Sequence, residues 1–230
     1  MDKLKRNTLK KSLLLGTLPI LTSCNQEVRD VKTYKYKNIK IKMVTSFPKN
    51  LPGADLPAQK LAKKIYQISD GLIDIKHYAA GELVPAFEVF DAVSSGTAEC
   101  GVSAPYYWMS KDISIPFFCT IPGGMTALEK FIWLSQGEGQ HLWDELYSKY
   151  NLKGLPMGNT GTTMGGWFKK KINSINDFTG LKMRIPGLGG EVINRMGGIA
   201  TNISGSEVIN ALKLGVIDAA EWAGPWPDMS

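Results

Sequence analysis

The sequence predicts an α/β fold with a largely parallel sheet, and its 230 residues allow one large lobe or two small ones. From residue 38 onward, strand-like and helix-like segments alternate, which is the pattern of such folds. Glycine or proline marks many segment ends, as at Pro48, Gly71 and Gly96. Hydrophobic residues make up 43% and charged residues 21% of the 230 positions, which is typical of globular proteins and excludes a mainly disordered or fibrous chain.

The first predicted lobe covers residues 39–158. Strands are expected at 39–47, 72–78 and 99–104 because apolar residues alternate or run together there, and a further strand is expected at 152–159. Helices are expected at 55–71 and 86–96, and at 126–151 with a break at Gly137–Gly139.

The second predicted lobe covers residues 159–230, and residues 158–163 are the candidate hinge or crossover. Strands are expected at 164–170, 181–185, 199–203 and 216–222, with helices at 190–197 and 205–215. Ser204 and Glu207 fit a capping box at the start of the last helix, and Gly215 ends it.

The N-terminal residues predict export to the periplasm. A basic head, an apolar run over residues 13–21 and then small residues are typical of a signal peptide, here residues 1–24. The run is shorter than the roughly 20 residues that a membrane-spanning helix needs. Residues 21–24 also resemble a lipobox, in which Cys24 would be lipidated; ordinary cleavage nearby is equally consistent. Residues 25–38 are expected to form a tether.

The distribution of charge argues against nucleic-acid binding. Residues 1–42 carry eleven of the 27 basic side chains and three of the 21 acidic ones, so the rest of the chain has sixteen basic and eighteen acidic residues. The predicted folded part is therefore slightly acidic, and no basic surface with interleaved aromatic residues follows residue 42.

Catalytic patterns are weak. His77 and His141 are the only histidines, and neither belongs to a zinc-binding or nucleophile motif. A secreted metal-dependent enzyme acting on carboxylic acids, with Glu221 as a metal ligand, is the alternative function from another class. Cys100 and Cys119 lie in apolar segments, and both a disulfide and two buried thiols agree with the sequence.

Arg184 stands between an apolar strand and a glycine-rich helix start. Ligands of open α/β sheets bind at the carboxyl ends of strands, and a guanidinium there matches a carboxylate with two hydrogen bonds. The glycines at 187, 189 and 190 expose backbone N–H groups near the helix start, which favours an anion. These features predict a carboxylate site, although an exposed charge at a strand end is the simpler alternative.

Two further features point to the same kind of ligand. Glu221 lies in an apolar strand, where a carboxylate needs a hard cation such as Na⁺ or Ca²⁺, an arginine, or exposure at the strand end. Tyr106 and Tyr107 follow the third strand, where their hydroxyl groups could bind a small acid from an apolar wall. Core packing explains such an aromatic cluster, which continues into Trp108, more often than binding does.

Taken together, the segments 79–108, 158–168, 181–192 and 205–226 resemble the extracytoplasmic solute-binding subunit of TRAP transporters, the DctP type. They are most similar to the branch that binds 2-oxo acids and lactate, and the resemblance covers residues 39–230. It implies a binding protein, not an enzyme, whose two lobes close on a small monocarboxylate and pass it to the TRAP membrane subunits for sodium-driven uptake. A protein for a dicarboxylate or a sugar acid is the closer rival.

The resemblance also implies roles for individual residues. Arg184 would pair with the substrate carboxylate, and Glu221 with the backbone carbonyl of Trp222 would hold Na⁺ or Ca²⁺ that bridges protein and substrate. Substrate contacts are also implied for the following residues: Asn159, Trp222, and Tyr106 or Tyr107.

The sequence departs from the family pattern at two places. Members often carry glutamine where this chain has Thr162 and Thr163, which affects an expected metal or substrate contact. Members also continue well beyond the position of residue 230, so the second lobe is expected to be incomplete.

Overall fold

Two separate β-sheets organise residues 37–224, the part of the chain that the computed structural model describes. The predicted signal peptide, most of the predicted tether and residues 225–230 lie outside the described residues. The first sheet has the order β2-β1-β3 and is parallel throughout. The second has the order β4-β7-β5-β6, in which β5 pairs in parallel with β6 and β7, while β4 runs antiparallel to β7. This agrees with the predicted α/β class; the boundary between residues 158 and 159 stays a prediction.

The strands and helices follow the predicted order along the chain. The strands are β1 Ile39–Thr45, β2 Ile73–Tyr78, β3 Cys100–Val102, β4 Trp167–Phe168, β5 Lys182–Arg184, β6 Ile199–Thr201 and β7 Ala219–Ala220. The helices are α1 Asp55–Ile68, α2 Val89–Ser94, α3 Ala127–Gln136, α4 Gly139–Ser148, α5 Gly187–Arg195 and α6 Val208–Lys213. Short 3₁₀ turns occupy Ala86–Glu88, Pro105–Trp108, Ile115–Phe118 and Ile175–Phe178.

Two sequence predictions about these elements are wrong. Residues 152–159 form no strand, because the segment pairs with no other strand within residues 37–224, and its Leu155 and Met157 side chains are exposed. Helix α6 starts at Val208 instead of residue 205. The Ser204 hydroxyl donates to the Glu207 carboxylate (2.7 Å), so this pair bonds side chain to side chain and does not form the predicted capping box.

Aromatic side chains fill the core beside the first sheet. The Phe118 ring stacks on Trp143 at 5.6 Å between centroids, and Phe90 packs at 5.0 Å from Trp108. By contrast, the second sheet is covered by two small clusters of buried residues, one around Met183 and one around Ile217. The first region is therefore packed more extensively than the second.

Cys100 and Cys119 are free thiols, which answers the open question of a disulfide between them. Burial raises the pKa of Cys119 to about 12, so this thiol is protonated at neutral pH.

Helix α3 exposes one apolar side. Leu128, Phe131 and Ile132 share a face by their spacing and are 66%, 60% and 49% exposed, whereas Leu134 is buried. We call these three residues the outer face of α3. Within residues 37–224, none of the helices has the length and apolar character needed to cross a bilayer.

Candidate functional site

Arg184 ends strand β5 and is 1% exposed, so it is not an ordinary surface charge. Strand alternation sends the neighbouring Met183 into the core of the second sheet and Arg184 to the opposite face. A buried guanidinium requires hydrogen-bond acceptors and a counter-charge, because removing a charge from water is costly.

Three acceptors of the protein meet the guanidinium. Nε donates to the carbonyl of Ile203 (3.0 Å), Nη1 to the carbonyl of Glu221 (2.7 Å), and Nη2 to the hydroxyl of Tyr107 (3.3 Å). A guanidinium has five N–H groups, two on each terminal nitrogen. One N–H on each terminal nitrogen therefore has no hydrogen-bond acceptor among the residues that the structure describes.

The Glu221 carboxylate supplies the counter-charge. Its Oε2 lies 3.5 Å from Arg184 Nη1, and its side chain is 13% exposed. The Glu221 backbone N–H also donates to the carbonyl of Arg184 (2.8 Å), because β7 runs beside β5. Of the three partners that the sequence left open for Glu221, the structure shows the arginine.

Trp222 covers the guanidinium from another side. The Arg184 Cζ atom lies 4.7 Å from the centroid of the Trp222 ring, which is a cation–π contact. Arg184 is thus held by hydrogen bonds at its edge and by an aromatic ring.

The 3₁₀ turn Pro105–Trp108, which follows β3, brings the two tyrosines to this site. Tyr107 is the one that contacts Arg184, and Tyr106 packs edge-on against Tyr107 with 4.9 Å between ring centroids. Burial raises the pKa of both hydroxyls, so both are neutral at pH 7 and can donate a hydrogen bond. The arginine beside Tyr107 partly opposes this increase in its pKa.

The glycines at the start of α5 allow this helix to pack closely against Tyr106 and strand β5. Gly187 has a φ of 61°, and a Cβ there would lie 2.8 Å from the Cβ of Tyr106. At Gly190 a Cβ would lie 2.9 Å from the Ile185 carbonyl oxygen, so this residue lets α5 pack onto β5. The structure gives Gly187 and Gly190 a packing role, and the predicted exposure of N–H groups to an anion stays a prediction.

Asn159 is not brought to Arg184 by any contact among the described residues. It is exposed, and its Oδ1 accepts a hydrogen bond from the Gly161 backbone N–H (2.7 Å). Its predicted substrate contact stays a prediction.

The residues that could hold a hard cation are few. Within residues 37–224, no three His, Cys, Asp or Glu side chains cluster as a metal site. The Glu221 carboxylate and the Trp222 carbonyl are oxygen donors of the right kind, but Ca²⁺ takes six to eight oxygens. These groups fit part of a coordination shell, and substrate, water or other oxygens would have to complete it.

Sequence reasoning missed the backbone contribution of the loop between β6 and α6. The Ile203 carbonyl and Gly205 lie in this loop, beside Arg184 and Trp222 respectively. Every residue has a backbone carbonyl, so the residue type at 203 does not indicate that its carbonyl accepts a hydrogen bond. Gly205 by itself indicates only a turn.

Comparison with known proteins identifies the family of the chain. The family model for DctP, the bacterial extracellular solute-binding protein, family 7, matches residues 53–227. A monocarboxylate 2-oxoacid-binding periplasmic protein of Nostoc sp. is 41% identical over 97% of this chain and 61% of its own length.

Solved structures show the same fold. A TRAP periplasmic solute-binding protein from Pseudoalteromonas atlantica, with bound sodium and pyruvate, matches with a TM-score of 0.81 and 41% identity, over 84% of this chain and 59% of that chain. One from Colwellia psychrerythraea, with bound calcium and pyruvate, matches with a TM-score of 0.81 and 40% identity over the same shares.

The chain thus spans about 60% of the length of these relatives. The family model covers well over half of the chain, and its members are solute-binding proteins, not enzymes. The chain belongs to the DctP family of bacterial extracellular solute-binding proteins.

Proposed function

We propose that this chain binds a small 2-oxo or 2-hydroxy monocarboxylate together with Na⁺ or Ca²⁺, as the solute-binding component of a TRAP transporter. The observation that carries the proposal is the buried Arg184–Glu221 pair, in which two guanidinium N–H groups make no hydrogen bond to a described residue, one of them on the Nη1 atom that pairs with the Glu221 carboxylate. Relatives that hold pyruvate with sodium or calcium support it.

Arg184 binds the carboxylate in this proposal. The two remaining N–H groups would donate to the substrate oxygens, and charge-assisted bonds of this kind are about twice as strong as neutral ones. The Tyr107 oxygen accepts from Arg184, and in this proposal its hydroxyl proton would be donated to the substrate. Tyr106, Trp222 and Asn159 are the further substrate contacts that we propose.

The charges of the site explain why a cation would be needed. Arg184 and Glu221 together are neutral, so a bound monocarboxylate adds one uncompensated negative charge in a largely buried place. Glu221 and the Trp222 carbonyl would hold the cation, which supplies positive charge between the Glu221 and substrate carboxylates. Binding of the anion and of the cation should therefore be coupled.

Calorimetry with pyruvate tests the proposal. We expect affinity to rise at least about tenfold when Na⁺ or Ca²⁺ replaces a bulky organic cation at constant ionic strength, which corresponds to about 1.4 kcal/mol of coupling. Constant ionic strength keeps ordinary screening unchanged, so screening cannot produce this rise in affinity. Absence of pyruvate binding under all these conditions contradicts the proposed function for this chain.

A substitution at Glu221 separates coupling from simple stabilisation by salt. In Glu221→Gln, Arg184 and the substrate carboxylate balance each other, so we expect pyruvate affinity to become independent of the cation. Glu191→Gln is the matched control, because Glu191 is exposed on α5. Arg184→Lys should lower affinity at least about tenfold, because it removes the paired donors. Full cation dependence in Glu221→Gln contradicts the role of Glu221.

The proposal also places the protein in the periplasm, where lobe closure around the ligand would present the loaded form to the TRAP membrane subunits for sodium-driven uptake. Lipidation of Cys24 is a separate part of it. Mass spectrometry of the mature protein decides this point, since a diacylated N-terminal Cys24 supports an anchor and an unmodified N-terminus at another residue contradicts it.

A further inference from the structure

The loop between β6 and α6, residues 202–207, contacts the candidate site twice. Its Ile203 carbonyl accepts the Arg184 Nε–H at 3.0 Å. Two residues later, Gly205 lies against the outer edge of the Trp222 ring. A Cβ added to Gly205 would lie 2.8 Å from both Cζ2 and Cζ3 of that ring, and still closer to Cη2. Real Cβ atoms do not approach other atoms this closely.

Glycine is necessary at this position because the Trp222 ring leaves no room for a Cβ, and not because of the backbone conformation. The φ of Gly205 lies outside the left-handed region, so alanine can adopt the same backbone. The Trp222 indole consequently meets the Gly205 backbone at its outer edge and the Arg184 guanidinium over its face.

The loop is the rigid side of this arrangement. The Ser204 hydroxyl is bonded to the Glu207 carboxylate (2.7 Å), and Ile203 packs with Val208 against the fully buried Ile217. By contrast, the atoms nearest to Gly205 are the far end of a tryptophan side chain. If a methyl group is added, the ring should move and the loop should stay.

We propose that Gly205 is a positioning residue that sets the place of the Trp222 ring and, through it, the orientation of the Arg184 guanidinium. The inference rests on the proposed function for its effect on ligand affinity, but its structural effect can be measured without any ligand.

The ligand-free test follows the Arg184 Nε–H by ¹H–¹⁵N NMR. In the wild-type chain we expect a protected signal, shifted upfield by the Trp222 ring and assigned by its loss in Arg184→Lys. Gly205→Ala should remove the upfield shift while most backbone amide signals stay in place. Gly165→Ala is the matched control, because a Cβ there meets nothing within 4 Å and the φ is also outside the left-handed region.

A compensating variant distinguishes positioning from general damage. Phenylalanine is shorter than tryptophan, so Gly205→Ala combined with Trp222→Phe has room for the added methyl group. We expect the double variant to recover part of the upfield shift relative to Gly205→Ala alone. A Gly205→Ala spectrum in which the Arg184 signal keeps its wild-type shift overturns the proposal.

The second readout is pyruvate affinity in the presence of Na⁺. Gly205→Ala should weaken binding about 2- to 30-fold, the range expected from loss of a cation–π contact. Should the wild type fail to bind pyruvate, the proposed function is contradicted, while the NMR result still decides whether Gly205 positions the Trp222 ring against Arg184. Should the shift be lost with unchanged affinity, the link from Gly205 to binding is wrong.

Discussion

Each of the two sheet regions buries one charged side chain, and the two charges differ in how far the protein satisfies them. In the first region, Asp55 is fully buried and accepts four hydrogen bonds. The donors are Thr45 Oγ1 (3.2 Å), His77 Nε2 (2.7 Å), the Asn50 backbone N–H (2.8 Å) and Gln59 Nε2 (2.7 Å). In the second region, Arg184 uses three of its five donors.

This difference in used hydrogen-bonding capacity distinguishes a charged residue that stabilises the fold from one that is available to bind a ligand. A carboxylate has about four lone-pair sites, so the bonds to Asp55 leave no capacity for a ligand, and this residue ties α1 to β1 and β2. Arg184 keeps two donors beside a carboxylate and two tyrosines. A buried charge with unused hydrogen-bonding capacity is costly unless a ligand completes it.

The largest expected effect is the loss of stability in Asp55→Ala. Four donors would lose the Asp55 acceptor, and removing one partner of a buried ionic network costs about 3–5 kcal/mol. The free energy of unfolding, measured with urea, checks this. Asp91→Ala is the control, because Asp91 pairs with Lys111 at an exposed site and should change stability by less than about 1 kcal/mol. Equal effects of the two substitutions contradict the structural role of Asp55.

High pH should weaken the first region, because all tyrosines within residues 37–224 precede residue 151. Burial raises the pKa of Tyr147 to about 12 from an ordinary value of 10.0. A raised pKa in the folded state gives stability that is fully present below pH 10 and is lost as the pH rises through 12. This group contributes about 2–3 kcal/mol.

Tyrosinate absorbance and unfolding free energy, followed together across this pH range, measure the effect. In Tyr147→Phe, the part of the loss of unfolding free energy at high pH that comes from Tyr147 should be absent. Ionisation of every tyrosine near pH 10 with no change in stability contradicts the buried environment of Tyr147.

A smaller change in stability is expected for Tyr107→Phe, which removes the acceptor of Arg184 Nη2. The loss should be about 1–2 kcal/mol, because only one hydrogen bond to a charged group is involved. Pyruvate affinity should fall as well, since the hydroxyl donor disappears. Tyr150→Phe is the control, because the Tyr150 hydroxyl donates to the Lys111 carbonyl at an exposed position. Unchanged pyruvate affinity in Tyr107→Phe removes this tyrosine from the site.

Local patterns predicted the strand that carries Arg184 because a strand pattern, Pro186 and a glycine-rich helix start are all encoded within ten residues. They also indicated that Glu221 needs a partner. They could not identify Arg184 as that partner, because the pairing of β5 with β7 joins residues 37 positions apart. The choice between Tyr106 and Tyr107 depends on the rotation of a 3₁₀ turn, which packing determines.

The wrong strand at 152–159 has a similar cause. Its apolar residues suit a pleated segment, but a strand exists only when a neighbour completes its hydrogen bonds, and none of the described strands does so. The two very short strands, β4 and β7, show the same dependence on pairing partners.

The outer face of α3 has a practical consequence for handling the protein. Three large apolar side chains on adjacent helical turns form an exposed hydrophobic patch. Salts such as ammonium sulfate strengthen the association of such surfaces. The protein should accordingly precipitate at a low concentration of ammonium sulfate. Replacing Phe131 with glutamate should raise the salt concentration at which precipitation begins.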